Sequence, residues 1–478
     1  MIGGQKMIDA STIENIVKKL MTTLEDVEIE EEKIEKADDC GGYGVFDSME
    51  NAIEAAYVAQ KEYMKQPLAL RRKIIAAMRE EMLKTEHMET ICSMTVEETG
   101  MGNYNDKLAK HKLATTATPG VEDLVAQAWT GDDGLTLLEL SPFGVIGAIT
   151  PTTNPSETII CNGIGMLAGG NTVVFAPHPK SIKTSLYTVQ ALNKAIIAAG
   201  GPENLMVVTK NPTMESADIM MHHPKIQLLC ATGGPGVVKA VLSSGKKAIG
   251  AGAGNPPALV DETANIEQAA KDIIDGCSFD NNLPCIAEKE VIVVDQVADY
   301  LIFNMKKHGA FEIKDKKVIE KLAEMVYPEG RLSRDYVGKS AQYIADALRL
   351  EVPEDTRVLI MEVDKDHLFV VEELMMPILP IVRVDNVDEG IDIACAVEHG
   401  NRHTAIMHSK NVDKLTEMSK RIQTTIFIKN GPSFAGIGFG GEGYATFTIA
   451  GPTGEGLTSA KSFVRNRRCV LVGGFDIK

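Results

Sequence analysis

The chain has 478 residues, 44% of them hydrophobic and 24% charged, with a mean hydropathy near zero, which is the composition of a globular protein with two or three cores. A formal net charge of −17 excludes the basic stripe that nucleic-acid binding requires. No stretch reaches the roughly 18–20 apolar residues of a membrane span, and Ile13 to Leu24 is interrupted by Glu14, Lys18 and Lys19, unlike a secretory leader. The expectation is a soluble, cytoplasmic protein with no nucleic-acid or membrane partner.

The first 24 residues stand apart. Ile13, Ile16, Val17, Leu20, Met21 and Leu24 recur on one helical face, and Ser11 with Glu14 has the spacing of a capping box. Glu25 to Asp39 follows with nine acids and two lysines, a solvated tether. Such a helix either packs on its own body or docks its apolar stripe on another protein, and the tether favours docking.

From about Phe46 the pattern becomes that of a packed domain. Ala52–Gln60 and Arg71–Leu83 read as helices with apolar faces. Gly144–Ile149, Thr172–Phe175, Met206–Thr209 and Ile226–Ala231 read as short buried strands, with helices such as Thr184–Ala199 between them. Strands alternating with helices imply right-handed crossovers and a parallel sheet. A second α/β pattern, with strands at Glu290–Val294, Val358–Met361 and Ile378–Val384, gives two α/β domains joined near Gly250.

Four stretches could carry chemistry. Thr150-Pro-Thr-Thr-Asn-Pro-Ser-Glu157 follows a strand, and Asn154 offers an uncharged NH₂ suited to an oxyanion, although Asn-Pro is also a routine turn. Ala231-Thr-Gly-Gly-Pro-Gly236 opens a helix at Val237–Leu242 and could admit a phosphate, or be a plain glycine turn; it lacks the G-x-G-x-x-G spacing. Phe279-Asp-Asn-Asn-Leu-Pro-Cys285 presents Cys285 on irregular backbone, whereas Cys277 lies in a helix-like run and suits a core position. Gly436-Ile-Gly-Phe-Gly-Gly-Glu-Gly-Tyr444 is either a packing device or a loop closing over a pocket. The eight cysteines include no C-x-x-C pair, so no zinc ribbon or redox pair is indicated, and we expect no metal site.

Taken in order, these features resemble the aldehyde dehydrogenase superfamily over about residues 45–478. The resemblance is carried by Asn154 in Pro-Thr-Thr-Asn-Pro, Gly170-Asn-Thr-Val-Val174, Thr232-Gly233, Gly252-Ala-Gly-Asn-Pro256, Cys285 and Glu373-Leu-Met-Met-Pro377. It implies Cys285 as nucleophile, Asn154 with the Cys285 N–H as oxyanion hole, and Glu373 on the nicotinamide ribose. The cofactor is accordingly placed on Thr152, Pro177, His178, Thr232, Gly233, Gly234, Gly236, Gly252 and Glu373. The implied organisation is a targeting helix (1–24), an acidic linker (25–44), a nucleotide-binding domain (45–124 and 143–250), a catalytic domain (251–457) and a β oligomerisation arm (125–142 and 458–478) joining a homodimer or homotetramer.

The departures narrow the reading. Ala251 stands where hydrolytic members carry the glutamate that activates water, and Ala176 replaces the lysine expected after Thr172–Phe175. Both features, with Gly451-Pro-Thr-Gly-Glu-Gly-Leu-Thr458, look like the coenzyme A-acylating branch. Its acetaldehyde and propionaldehyde enzymes often work in bacterial microcompartments, and some begin with a short targeting helix such as residues 9–24 resemble. The expected reaction is aldehyde + CoA + NAD⁺ to acyl-CoA + NADH through an acyl-Cys285 thioester. NADP stays open, because the usual ribose-reading side chains are missing around Ala176. The rivals are a hydrolytic dehydrogenase that recruits another base, and an inactive cargo or scaffold protein.

Overall fold

Runs of Val and Ile, buried on both faces as parallel strands require, build two sheets. The structure, a computed structural model, describes residues 42–477, so the helix expected at 9–24 and the acidic segment lie outside the described residues. The first sheet has six parallel strands in the spatial order Val45–Phe46, Met206–Thr209, Thr172–Pro177, Val145–Thr150, Ile226–Thr232 and Lys247–Ala251. From the central strand Val145–Thr150 the chain first builds outward on one side and then, from Ile226, on the other. That reversal opens a crevice at the carboxyl ends of Val145–Thr150 and Ile226–Thr232.

The second sheet has seven parallel strands in the order Ala310–Glu312, Val358–Glu362, Ile378–Val384, Glu290–Val294, Pro257–Val260, Thr404–His408 and Ile426–Lys429. The chain passes from one sheet to the other between Ala251 and Pro257. One apolar cluster runs from Ile146 and Phe175 of the first sheet to Val291 and Ile381 of the second. The strands expected from sequence are all present, some one or two residues longer and the first shifted by one to Val145–Thr150. Val45–Phe46, Lys247–Ala251, Pro257–Val260, Ala310–Glu312, Thr404–His408 and Ile426–Lys429 were not among them.

Gln127–Gly131, Gly134–Pro142 and Val464–Val472 form a separate antiparallel sheet. Val470, Leu471 and Val472 on its last strand are 55%, 50% and 79% exposed, an apolar strip that the chain itself leaves uncovered. In the glycine-dense stretch Gly436 is a packing position, where an added Cβ would sit 2.4 Å from Ile426 Cγ2, whereas Gly440 to Tyr444 are exposed. There Phe439 stacks on Phe279 at a ring-centroid distance of 5.7 Å, and Phe434 packs tilted against it at 5.3 Å.

Candidate active site

Cys285, Gly254, Glu373 and His403 are far apart in sequence, yet each lies just before one of four adjacent strands of the second sheet, those beginning at Glu290, Pro257, Ile378 and Thr404. The amino edge of that sheet therefore collects them, opposite the carboxyl edge of the first. An added Cβ on Gly254 would fall 2.8 Å from both the Cys285 carbonyl oxygen and His403 Cγ, so no larger residue fits between them.

The helix Ile266–Ser278 ends at Phe279, and Asp280, Asn281 and Asn282 follow in the left-handed region, with φ of 48°, 55° and 65°. Asp and Asn tolerate this backbone better than most residues, but three in succession need holding. Each side chain is held. Asp280 accepts from the Asn103 N–H at 3.0 Å and from the Lys107 and Lys110 ammoniums at 2.9 and 2.5 Å. Asn281 Nδ2 donates to the Gly338 carbonyl at 2.9 Å. Asn282 Nδ2 donates to the Cys277 and Glu288 carbonyls at 2.9 and 3.0 Å. Lys289 Nζ closes the loop by donating to Asn282 Oδ1 at 2.7 Å and to the Asn282 carbonyl at 3.0 Å.

Cys285 emerges from this loop partly exposed, while Cys277 is wholly buried in the helix, as the sequence led us to expect. Burial, with Glu373 nearby, pushes the Cys285 thiol up to about 12, opposed by Lys289 and Lys110. Burial likewise raises the Cys277 thiol.

Asn154 caps the helix Pro155–Ala168 by position but makes no side-chain cap bond. It is not on a solvated loop: only 6% of it is exposed. Its Oδ1 accepts from Lys110 Nζ at 2.5 Å, and its Nδ2 makes one long bond, 3.3 Å, to Thr153 Oγ1. Lys110 also lies 3.4 Å from Glu157, so Lys107, Lys110, Glu157 and Asp280 form a closed buried set of two cations and two anions. Burial opposes charge on Lys110, yet Asp280 and Glu157 hold its pKa above the ordinary value. Sequence reading missed this set. The available signal was that the helix Tyr104–Ala117 buries Lys107, Lys110 and His111, a polar face at helical spacing where an apolar one belongs.

His403 was also missed. It is buried and held neutral, its pKa lowered to about 4 by burial and by Lys289. Its Nδ1 is 2.9 Å from Thr404 Oγ1, and Nε2 has no hydrogen-bond partner among the described residues.

The cofactor positions expected from sequence fall at neighbouring strand ends. Thr152 follows the strand Val145–Thr150, and Pro177 and His178 end and follow Thr172–Pro177. His178 Nδ1 accepts from the Lys180 N–H at 3.1 Å, and burial with Arg334 and Lys180 lowers its pKa to about 4. Thr232 Oγ1 is 2.8 Å from Thr448 Oγ1, and the Gly233 N–H donates to the Ala251 carbonyl at 3.1 Å.

Gly234 precedes the helix Pro235–Leu242, whose N-terminus has no side-chain cap, and an added Cβ at Gly234 or Gly236 would meet nothing within 4 Å. A cleft of about 290 Å³ beside that helix is lined by Pro235, Val238, Lys239, Leu242, Gly252 and Asn401, among others. Of the nine positions expected to hold the cofactor, Gly252 lines that cleft, and Thr152, Pro177, His178, Thr232, Gly233, Gly234, Gly236 and Glu373 do not. Glu373 accepts from the Gly254 N–H, and its buried Oε1 has no partner. An uncapped helix end beside open glycine backbone, with an unsatisfied carboxylate oxygen, fits a dinucleotide with a phosphate and a ribose hydroxyl to place. Among the described residues no cluster of His, Cys, Asp and Glu could hold a metal, and no helix is long and apolar enough to cross a membrane.

The aldehyde dehydrogenase family profile matches residues 43–317 and 356–454. The chain belongs to that family. It is 50% identical to the CoA-propanoylating propanal dehydrogenase of Citrobacter freundii over 91% of this chain and 94% of that one. Among solved structures it is similar to Rhodopseudomonas palustris propionaldehyde dehydrogenase with bound CoA and an acylated cysteine, at TM-score 0.90 and 59% identity, over 91% of this chain and 99% of that one. A propionaldehyde dehydrogenase from the Clostridium phytofermentans fucose utilisation bacterial microcompartment gives TM-score 0.90 and 56% identity, covering 91% and 100%.

Proposed function

We propose that this chain oxidises a short aldehyde, propanal or acetaldehyde, to its acyl-CoA, with Cys285 as the acyl carrier and NAD⁺ or NADP⁺ as oxidant. The observation that carries the reading is that Lys110 ties Asn154 to Asp280, at the base of the Cys285 loop, so the thiol and the amide belong to one rigid assembly. The acylated cysteine and bound CoA of the Rhodopseudomonas relative support it.

In this reading the Cys285 thiolate attacks the aldehyde carbon, and the Asn154 NH₂ with the Cys285 N–H stabilises the oxyanion. The bound nicotinamide supplies the hydride acceptor, with Glu373 Oε1 free to take a ribose hydroxyl. The acyl-Cys285 thioester then awaits a second nucleophile. Ala251, buried at the end of its strand, offers no base for water. A thiol is intrinsically far more nucleophilic than water and needs less activation, so CoA takes the acyl group. In the tautomer whose Nδ1–H donates to Thr404 Oγ1, His403 has an unpartnered Nε2 lone pair that can receive the CoA thiol proton.

The microcompartment origin of the Clostridium relative supports a shell-protein partner for residues 9–24, and the exposed apolar edge at Val470–Val472 supports subunit pairing through the three-stranded arm. The test of the reaction is NADH formation from propanal with and without CoA. Sustained turnover to propanoyl-CoA, with only a burst when CoA is omitted, is expected. Rapid CoA-free turnover to the free acid would return the chain to the hydrolytic class. No turnover under any condition would favour the inactive-cargo rival.

A further inference from the structure

We propose that Lys110 is a positioning residue that fixes which atom of the Asn154 amide faces the substrate, and so sets the oxyanion donor. The inference rests on Asn154 being that donor, and it assigns work to a side chain that the reaction itself never touches.

Asparagine presents an acceptor and a donor of nearly the same shape, and either could point into the site. An ammonium has only donors. With Lys110 Nζ against the amide, the atom facing it must be Oδ1, which leaves Nδ2 turned away. Nδ2 is then committed by only one long bond to Thr153 Oγ1, so at least one of its N–H bonds remains for an incoming oxygen. Lys110 can act this way only while charged and immobile. Asp280 and Glu157 supply both conditions, and Lys110 has no exposed surface. Lys107 holds the preceding carbonyl, donating to Thr153 O at 2.7 Å, so the backbone on which the amide rides is pinned too.

A buried cluster of this kind adds little to stability over an apolar one and is costly to break by halves. The charge-matched variant K110M/E157Q removes one cation and one anion together, leaving Lys107 and Asp280 paired. It therefore serves beside K110M, in which an uncompensated anion could hinder folding. In either variant the amide is free to turn, and kcat for propanal oxidation should fall about 10²-fold, as for loss of one oxyanion donor, with KM little changed. Alkylation of Cys285 by iodoacetamide builds no oxyanion, so its rate in K110M/E157Q should fall far less than kcat, by only the small part that the Lys110 charge contributes to ionising the thiol. Adding N154A to K110M/E157Q should cost little more, because the donor is already lost.

If N154A alone keeps full kcat, the reading of Asn154 fails and the inference with it. If N154A is impaired while K110M/E157Q is not, or if the two effects multiply, Asn154 keeps its role and the inference about Lys110 is overturned. Parallel loss of kcat and of alkylation in K110M/E157Q would also overturn it, showing that Lys110 only supports the Cys285 loop.

Discussion

The Lys289 ammonium holds Asn282 twice, through the side-chain oxygen at 2.7 Å and the main-chain carbonyl at 3.0 Å, three residues before Cys285. Both contacts are buried, so removing the ammonium leaves two acceptors unsatisfied beneath a left-handed backbone. Lys289→Met should therefore destabilise the protein by about 1–3 kcal/mol and slow Cys285 alkylation. A denaturant midpoint and an alkylation rate both equal to wild type would show that the loop holds without this clamp.

Cys285→Ala should abolish aldehyde oxidation, a loss of several orders of magnitude for a covalent nucleophile. Cys277→Ala should keep most of the activity, since its thiol is buried in the apolar core and its hydrogen bond among the described residues is from Asn282 Nδ2, at 3.4 Å. Steady-state rates of the two variants decide it, and a dead Cys277→Ala enzyme would reverse the assignment.

The thiol of the cofactor-free enzyme is held neutral, its pKa raised to about 12 chiefly by burial. Deprotonation therefore increases throughout the working range, and alkylation by iodoacetamide should accelerate by roughly tenfold per pH unit from 6 to 9 without a plateau. A plateau near pH 7 would mean that the free enzyme already holds a thiolate.

His403→Ala should spare the NADH burst seen without CoA and depress CoA-dependent turnover. The imidazole is neutral above about pH 4, so it is competent as an acceptor across the whole working range. Stopped-flow measurement of burst and steady state separates the two steps; a lost burst with the CoA step intact would place His403 on the acylation side.

Deleting residues 1–24 should leave kcat and melting temperature unchanged, while residues 9–24 fused to a reporter should carry it into a microcompartment shell. An isolated helix of roughly 12–15 residues is marginal in water, so it should order mainly on binding. Charging the stripe with Ile16→Glu and Leu20→Glu should abolish that transport. A large fall in melting temperature on deletion would show instead that the segment packs on its own subunit.

Local pattern carried much of this protein. Seven of the thirteen parallel strands, the helical setting of Cys277 and the irregular backbone before Cys285 are properties of a few adjacent residues, so they could be read along the chain. What lay beyond reach was contact between distant segments. Lys110 meets Asn154 across 44 positions and Asp280 across 170, and nothing in a helix holding Lys107 and Lys110 says which carboxylates will neutralise them. The gathering of Gly254, Cys285, Glu373 and His403 likewise depends on which strands are neighbours in the second sheet, and strand order is settled by packing and crossover handedness rather than by any one strand's composition. Tertiary structure alone decided that Asn154 is buried against an ammonium and that a polar helix face belongs inside. A charge can be buried only where a partner is already in place.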